Sequence, residues 1–249
     1  MSTDDSLLLL LRHLKLSAME RECSDAMHRA EQENWGYRRF LLHLAELESA
    51  DKRARTVKRL LKDSALPETE TFERLDQNKM PEKARRMLAS LQSGDWVRRG
   101  DNLIALGLHG RGKTAFCCAL GRSLIERHQM KVLFAPTFKV VGQLLAARTA
   151  HRLEEEIERL HRYDTIILDE LGYLPQSRDD IDVLFHLISQ RHQKNRSLMV
   201  TSNLVFSQWD QVFRTAQLAQ AVVDRLVAHP VILEFAGPKS LRGGQDLAA

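Results

Sequence analysis

The chain has 249 residues, 43% of them hydrophobic and 28% charged, with a formal net charge of +4. That composition excludes a disordered or low-complexity chain and leaves room for one full α/β domain plus a smaller module. The three cysteines, Cys23, Cys117 and Cys118, make neither a metal-binding spacing nor an even disulfide framework, and the apolar run at residues 7–11 is far too short for a membrane span.

A basic leader and a small-residue cleavage site are both missing from the start of the sequence, so a cytoplasmic location with no membrane partner is expected. Residues 1–99 read as helical, with glycine only at Gly36 and Gly94. Asp4-Asp5-Ser6 supplies a helix start ahead of the leucines, and a second helix is expected over 21–33, ended or bent by Gly36. Phe40, Leu41, Leu44 and Leu47 repeat at helical spacing and should face a small core. Lys52, Arg55, Arg59 and Lys62 then fall on one face of a helix as a cationic stripe. Such a stripe suits the phosphates of DNA without reading bases, and suits equally a solvated face paired with Glu46 and Asp51. Pro67 breaks the helix, and Lys83, Arg85, Arg86, Arg98 and Arg99 make a second basic cluster around Gly94. The expected division is a helical DNA- or partner-binding domain over 1–70, a linker with a basic helical segment over 71–99, and a nucleotide-binding domain over 100–249.

Residues 103–106 suit a short buried strand, and a helix is expected over 115–129. Between them, Gly107-Leu108-His109-Gly110-Arg111-Gly112-Lys113-Thr114 meets G-x-x-x-x-G-K-[ST] at every fixed position. Glycines let the backbone curl so that successive N–H groups turn inward on a phosphate, and the helix start brings the positive end of its dipole there. Lys113 is expected to reach the β- and γ-phosphates, and the Thr114 hydroxyl to ligate Mg²⁺. Gly107, Gly110, Arg111, Gly112, Lys113, Thr114 and Ala115 are therefore the candidate cradle for ATP. Cys117 and Cys118, on the helix that follows, read as small core fillers.

A second strand is expected over 132–135, and Pro136-Thr137 starts an amphipathic helix carrying Val140, Val141, Leu144 and Leu145. A surface helix over 153–162 leads to Thr165-Ile166-Ile167-Leu168-Asp169-Glu170, an apolar strand that ends in two acids. Acids there lie at the carboxyl end of a parallel strand, where ligands bind in such sheets. Asp169 suits Mg²⁺, and Glu170 suits polarisation of the water that attacks the γ-phosphate. After a helix over 180–193, the strand 197–203 closes on Asn203. Its amide fits either the γ-phosphate or the attacking water, or else the capping of a helix that contains Trp209. Arg225, late in a helix over 216–228, meets either last-turn carbonyls or a neighbouring subunit's γ-phosphate. A last strand is expected over 231–235. Lys139 and Arg178, placed on loops near the carboxyl ends of strands, are further candidates for DNA contact.

The order GxxxxGKT, IILDE, VTSN and DRL resembles an AAA+ ATPase. More narrowly, LDELGYLP, VTSN followed by Trp209, AVVDRLVAH and the basic N-terminal module resemble the IstB-type transposition helpers, sisters of the DnaC helicase loaders. The likeness covers nearly the whole chain. It implies an α/β fold: a three-layer P-loop AAA+ core with a parallel sheet, preceded by a small all-helical domain, with the helical lid absent or minimal. It also implies an oligomer that uses ATP and Mg²⁺, binds DNA largely without regard to sequence, and assists the transposase of its own element in choosing target DNA. Residue by residue, it implies ATP and Mg²⁺ at Lys113 and Thr114, the Walker B acids at Asp169 and Glu170, sensor 1 at Asn203, and a trans arginine finger at Arg225. Arg242 is the one substitute for a second sensor. Leu108-His109 departs from the prolines common in relatives. The rival readings are a helicase loader on the same core and a P-loop small-molecule kinase.

Overall fold

The computed structural model describes residues 3–172, 177–213, 215–228 and 230–235, which form two compact units, Met1–Arg59 and Leu60–Ala249. The expectations for Tyr173, Leu174 and Pro175, for Arg242 and for a lid after Phe235 fall outside the described residues.

The first unit is built from α1 (Thr3–His13), α2 (Ser17–Gln32) and the greater part of α3 (Tyr37–Asp63). Its core joins Cys23, Ala26 and Leu44, with Phe40 and Leu47 packed against them. Leu41, expected in that core, is 64% exposed, because it lies past the edge of the stripe that Phe40, Leu44 and Leu47 define. α2 also begins four residues earlier than periodicity suggests. Leu16 at its N-cap makes no side-chain cap, and the cap comes instead from α3. The buried Glu48 carboxylate accepts the Ala18 N–H at 2.8 Å and the Met19 N–H at 3.2 Å. A carboxylate at that end satisfies orphan amides and meets the positive end of the helix dipole, a contribution of about 1 kcal/mol.

In the second unit, the segment expected to be a linker is packed. Leu75 and Met80 are buried, α4 (Glu82–Gln92) lies against the helix that follows the glycine loop, and α5 (Asp95–Arg98) buries Trp96 and Val97. Beyond it, β1 (Asn102–Leu106), β2 (Val132–Pro136), β3 (Thr165–Asp169), β4 (Ser197–Ser202) and β5 (Pro230–Glu234) form one sheet in the order β2-β3-β4-β1-β5. Every pairing is parallel. Strands buried on both faces carry apolar runs, and all five residues of β1 and of β3 are buried, with the polar Asn102, Thr165 and Asp169 at their ends hydrogen-bonded. Each such aliphatic side chain contributes about 1.5–3 kcal/mol.

The two faces of the sheet follow from alternation along the strands. Ile104, Leu106, Ile166, Leu168, Leu198 and Val200 meet α7 (Thr137–Thr149), α8 (Leu153–His161), α9 (Arg178–Gln193) and α11 (Ala216–Leu226) in one apolar cluster. Ile167 points the other way, towards α6 (Lys113–His128), where Gly121 leaves room for it. The result is three layers. The expected helix around Trp209 is only a 3-10 turn (Phe206–Gln208) and the short α10 (Asp210–Phe213). Trp209 itself is a buried core residue whose indole N–H donates to Leu204 O at 3.2 Å.

At the amino ends of the strands, the fully buried Arg191 guanidinium of α9 donates to the carbonyls of Leu160, Tyr163, Asp164 and Ser197 at 2.6–3.3 Å. Nearby, Asn102 accepts the Leu198 N–H at 2.8 Å and donates to Leu226 O at 3.2 Å.

Candidate nucleotide-binding site

The carboxyl ends of β1, β3 and β4 open on a cavity of about 220 Å³ lined by His109, Gly110, Gly112, Lys113, Thr114, Ala115, Glu170, Thr201 and Asn203. Six of the nine come from the glycine loop and the first turn of α6, so the sequence reading located most of the wall. Gly107 forms no part of this wall and closes the loop from behind. Its φ is 144°, and a Cβ there would stand 2.5 Å from Phe235 O. Gly112, at φ 85°, makes the left-handed turn that starts α6. Arg111 is half-buried and does not line the cavity.

Lys113 is 7% exposed, and its ammonium donates to Gly107 O at 2.6 Å and Leu108 O at 2.9 Å. Burial lowers its pKa, while the charges of Asp169 and Glu170 act in the opposite sense. Asp169, also buried, accepts two hydroxyls on one carboxylate oxygen, from Thr114 at 2.7 Å and from Thr201 at 2.6 Å. Its main-chain carbonyl accepts the Thr137 hydroxyl at 2.8 Å. The Thr114 proton is thus committed to the carboxylate, which leaves that hydroxyl's lone pairs for a cation. A carboxylate and a hydroxyl are hard oxygen donors of the kind Mg²⁺ takes alongside phosphate oxygens. Among the described residues, no group of three or more His, Cys, Asp or Glu side chains is placed to hold a metal by itself.

Glu170 is exposed at the cavity and holds a left-handed backbone, φ 58°, which costs a non-glycine residue about 1 kcal/mol. Its N–H is pinned by Thr201 Oγ1 at 2.9 Å. Asn203 reaches the same cavity and caps no helix, since Val205 stands at the N-cap of the 3-10 turn. Its Oδ1 is buried without a hydrogen-bond partner, packed where a Cβ on Gly172 would come within 2.5 Å. Thr201 was not singled out from the sequence. Register is the signal that could have found it: Leu168 pairs with Val200, so the next position on β4 falls beside Asp169.

The remaining candidates lie elsewhere. Arg225 takes the plainer of its two expected contacts, donating to Ala221 O at 2.7 Å and stacking over the Phe185 ring at 4.8 Å, and it does not line this cavity. Lys139 and Arg178 are exposed, but each lies in the first turn of a helix (α7 and α9) and not on a loop, because β2 passes directly into α7 and Ser177 caps α9. Lys52, Arg55, Arg59 and Lys62 are all exposed on α3. Lys52 and Arg55 pair with Glu48 at 3.8 and 3.3 Å, and Arg55 also with Asp51 at 2.7 Å. The expected partner Glu46 pairs with no cation among the described residues, because Glu48 and not Glu46 stands one helical turn before Lys52. In the second basic cluster, Arg86, Arg98 and Arg99 pair with Glu82, Asp95 and Asp101.

A glycine loop feeding a helix, an acid closing the strand two places away in a parallel sheet, and a polar strand end between them define a P-loop ATP-binding protein of the AAA+ fold. Solved structures share that fold. The DnaC helicase loader superposes with a TM-score of 0.52 at 17% identity, covering 65% of this chain and 97% of that one. The AMPPCP-bound DnaA of Aquifex aeolicus gives 0.57 at 15% identity, covering 72% and 53%. Residues 9–249 match the IstB-like ATP binding proteins, and the chain belongs to that family. A Sinorhizobium fredii protein named as an insertion sequence ATP-binding protein is 34% identical over 228 residues, 91% of this chain and 76% of its own. One from insertion sequence IS21 of Pseudomonas aeruginosa, also named for ATP binding, is 32% identical over 229 residues, 92% and 86%.

Proposed function

We propose that this chain is a Mg²⁺-dependent ATPase that assembles on DNA and assists the transposase of its own insertion element in target choice and strand transfer. The observation that carries the ATPase reading is the meeting of Lys113, Thr114, Asp169, Glu170 and Asn203 around one cavity. Lys113 exchanges its two loop carbonyls for the β- and γ-phosphates, and the loop amides from Gly110 to Ala115 hold the rest of the chain of phosphates. Thr114 and Asp169 hold Mg²⁺, which when bound neutralises phosphate charge and polarises the γ-phosphoryl group. Glu170 orients and deprotonates the attacking water, and the Asn203 amide steadies that water or the γ-phosphate. Arg225 completes the site only if a neighbouring protomer supplies it, so turnover requires self-association.

The insertion-element role rests on the names of the relatives, and DNA contact on the exposed stripe Lys52, Arg55, Arg59 and Lys62, with Lys139 and Arg178 as additions. Binding is then sequence-independent and weakens steeply with salt. The full chain should hydrolyse ATP faster with DNA present, and Glu170→Gln should lower turnover by at least about 100-fold while ATP is retained. Unimpaired turnover in that variant defeats the proposal. A helicase loader on the same core is the second reading, favoured by the likeness to the DnaC loader. Capture of a replicative helicase and not a transposase would favour it.

A further inference from the structure

Thr201 is fully buried at the end of β4, yet its hydroxyl touches the carboxylate of Asp169 and the main-chain N–H of Glu170. A hydroxyl has one proton to give, and here it goes to Asp169 Oδ1 at 2.6 Å. The same oxygen accepts the Glu170 N–H at 2.9 Å. The Thr201 carbonyl accepts the Leu171 N–H at 2.9 Å, so the last residue of β3 and the two that follow it are all tied to one residue of β4. The middle one, Glu170, holds the strained left-handed backbone. Asn203 stands two residues further along the same chain and lines the same cavity as Thr201.

We propose that Thr201 is a positioning residue that sets the Asp169 carboxylate and the Glu170 backbone in one geometry, so that cation binding and water activation depend on the same hydroxyl. The proposal rests on the ATPase reading above. Without the hydroxyl, Asp169 keeps only the Thr114 proton on that oxygen, and the Glu170 N–H loses its partner, which frees the left-handed turn to relax. Contacts of this kind behind a ligand are worth about 10–100-fold in metal affinity or activity.

The test compares the full wild-type chain with Thr201→Val, which keeps the shape without the hydroxyl, and Thr201→Ser, which keeps the hydroxyl and loses a methyl. ATP affinity is measured with Mg²⁺ and again in EDTA, and turnover at saturating Mg²⁺·ATP. Thr201→Val should bind ATP in EDTA within about twofold of wild type, lose about tenfold or more of the Mg²⁺-dependent gain in affinity, and lose turnover by a similar factor. Thr201→Ser should recover both to within about threefold. Equal Mg²⁺-dependent gains in wild type and Thr201→Val overturn the proposal, as does a folded Thr201→Ser as deficient as the valine variant. If Thr201→Val does not fold, a fully active Thr201→Ser supports the proposal and an inactive, folded one defeats it. If the wild type retains Mg²⁺·ATP without hydrolysing it, the ATPase reading has failed, and the Mg²⁺-dependent affinities still decide the role of Thr201.

Discussion

The two ends of the sheet bury a cation each and use it in opposite ways. At the amino end, Arg191 gives its guanidinium to four main-chain carbonyls, from the last turn of α8, the loop after it and the start of β4. At the carboxyl end, Lys113 gives its ammonium to two carbonyls of its own loop, beside a cavity. Arginine's planar fork locks several acceptors in fixed directions, whereas lysine is a point charge on a pliant stem that rotates to a new partner. Burial lowers the pKa of both groups. The same desolvation cost therefore supports a permanent clamp at one end and an exchangeable contact at the other. A buried charge marks a binding site only when its partners are replaceable.

That contrast can be broken by crossing the two properties. Arg191→Leu should lower the unfolding free energy of the chain by about 4 kcal/mol, because four carbonyls lose their donors together. ATP affinity of the folded fraction should stay within about twofold, and denaturant titration with nucleotide binding would check both. Lys113→Ala should do the reverse. Mg²⁺·ATP affinity should fall about 100-fold, close to 2.7 kcal/mol, with the thermal midpoint held within about 2 °C. If Lys113→Ala unfolds the chain, or Arg191→Leu abolishes nucleotide binding, the division between clamp and contact is wrong.

Smaller effects sharpen the same picture. Gly172→Ala should leave ATP affinity intact and lower turnover by about tenfold, since its methyl would push the Asn203 amide and not a strand. His161, close by Arg191 in charge, is buried with both ring nitrogens unpartnered, and burial followed by the Arg191 charge lowers its pKa to about 4. The folded chain therefore refuses a proton that the unfolded chain accepts below its ordinary value. Stability from this group is complete above pH 7, is lost as pH falls from about 6.5 to about 4, and is level below that. Thermal unfolding across that window should show the loss in the wild type and less of it in His161→Gln.

The glycine loop, the apolar β3 and the acids that end it were legible because each is coded by neighbours in sequence. Spacing alone places Lys113, Thr114 and Asp169 at one end of one sheet. Features set by partners far along the chain were not legible. Thr201 and Asp169 are 32 residues apart and meet through strand register, and Glu48 reaches α2 from 30 residues away. Periodicity misplaced Leu41 because it gives a face and not the width of what covers that face. The helix expected around Trp209 is two short turns, and the indole is held there by the Phe206 and Phe213 rings and by the Leu204 carbonyl. Arg225 shows the limit of motif order, since within a single chain its guanidinium is satisfied by its own helix.

The cap that Glu48 places on α2 carries a consequence for the order in which the molecule is made. Glu48 leaves the ribosome well after Ser17, so the first turn of α2 emerges with its amides facing water. Leu16, at the N-cap, has no side-chain acceptor to offer them. The second helix therefore gains its cap only when the middle of the third has emerged, and a nascent chain halted short of that glutamate should be cut there more readily by a protease.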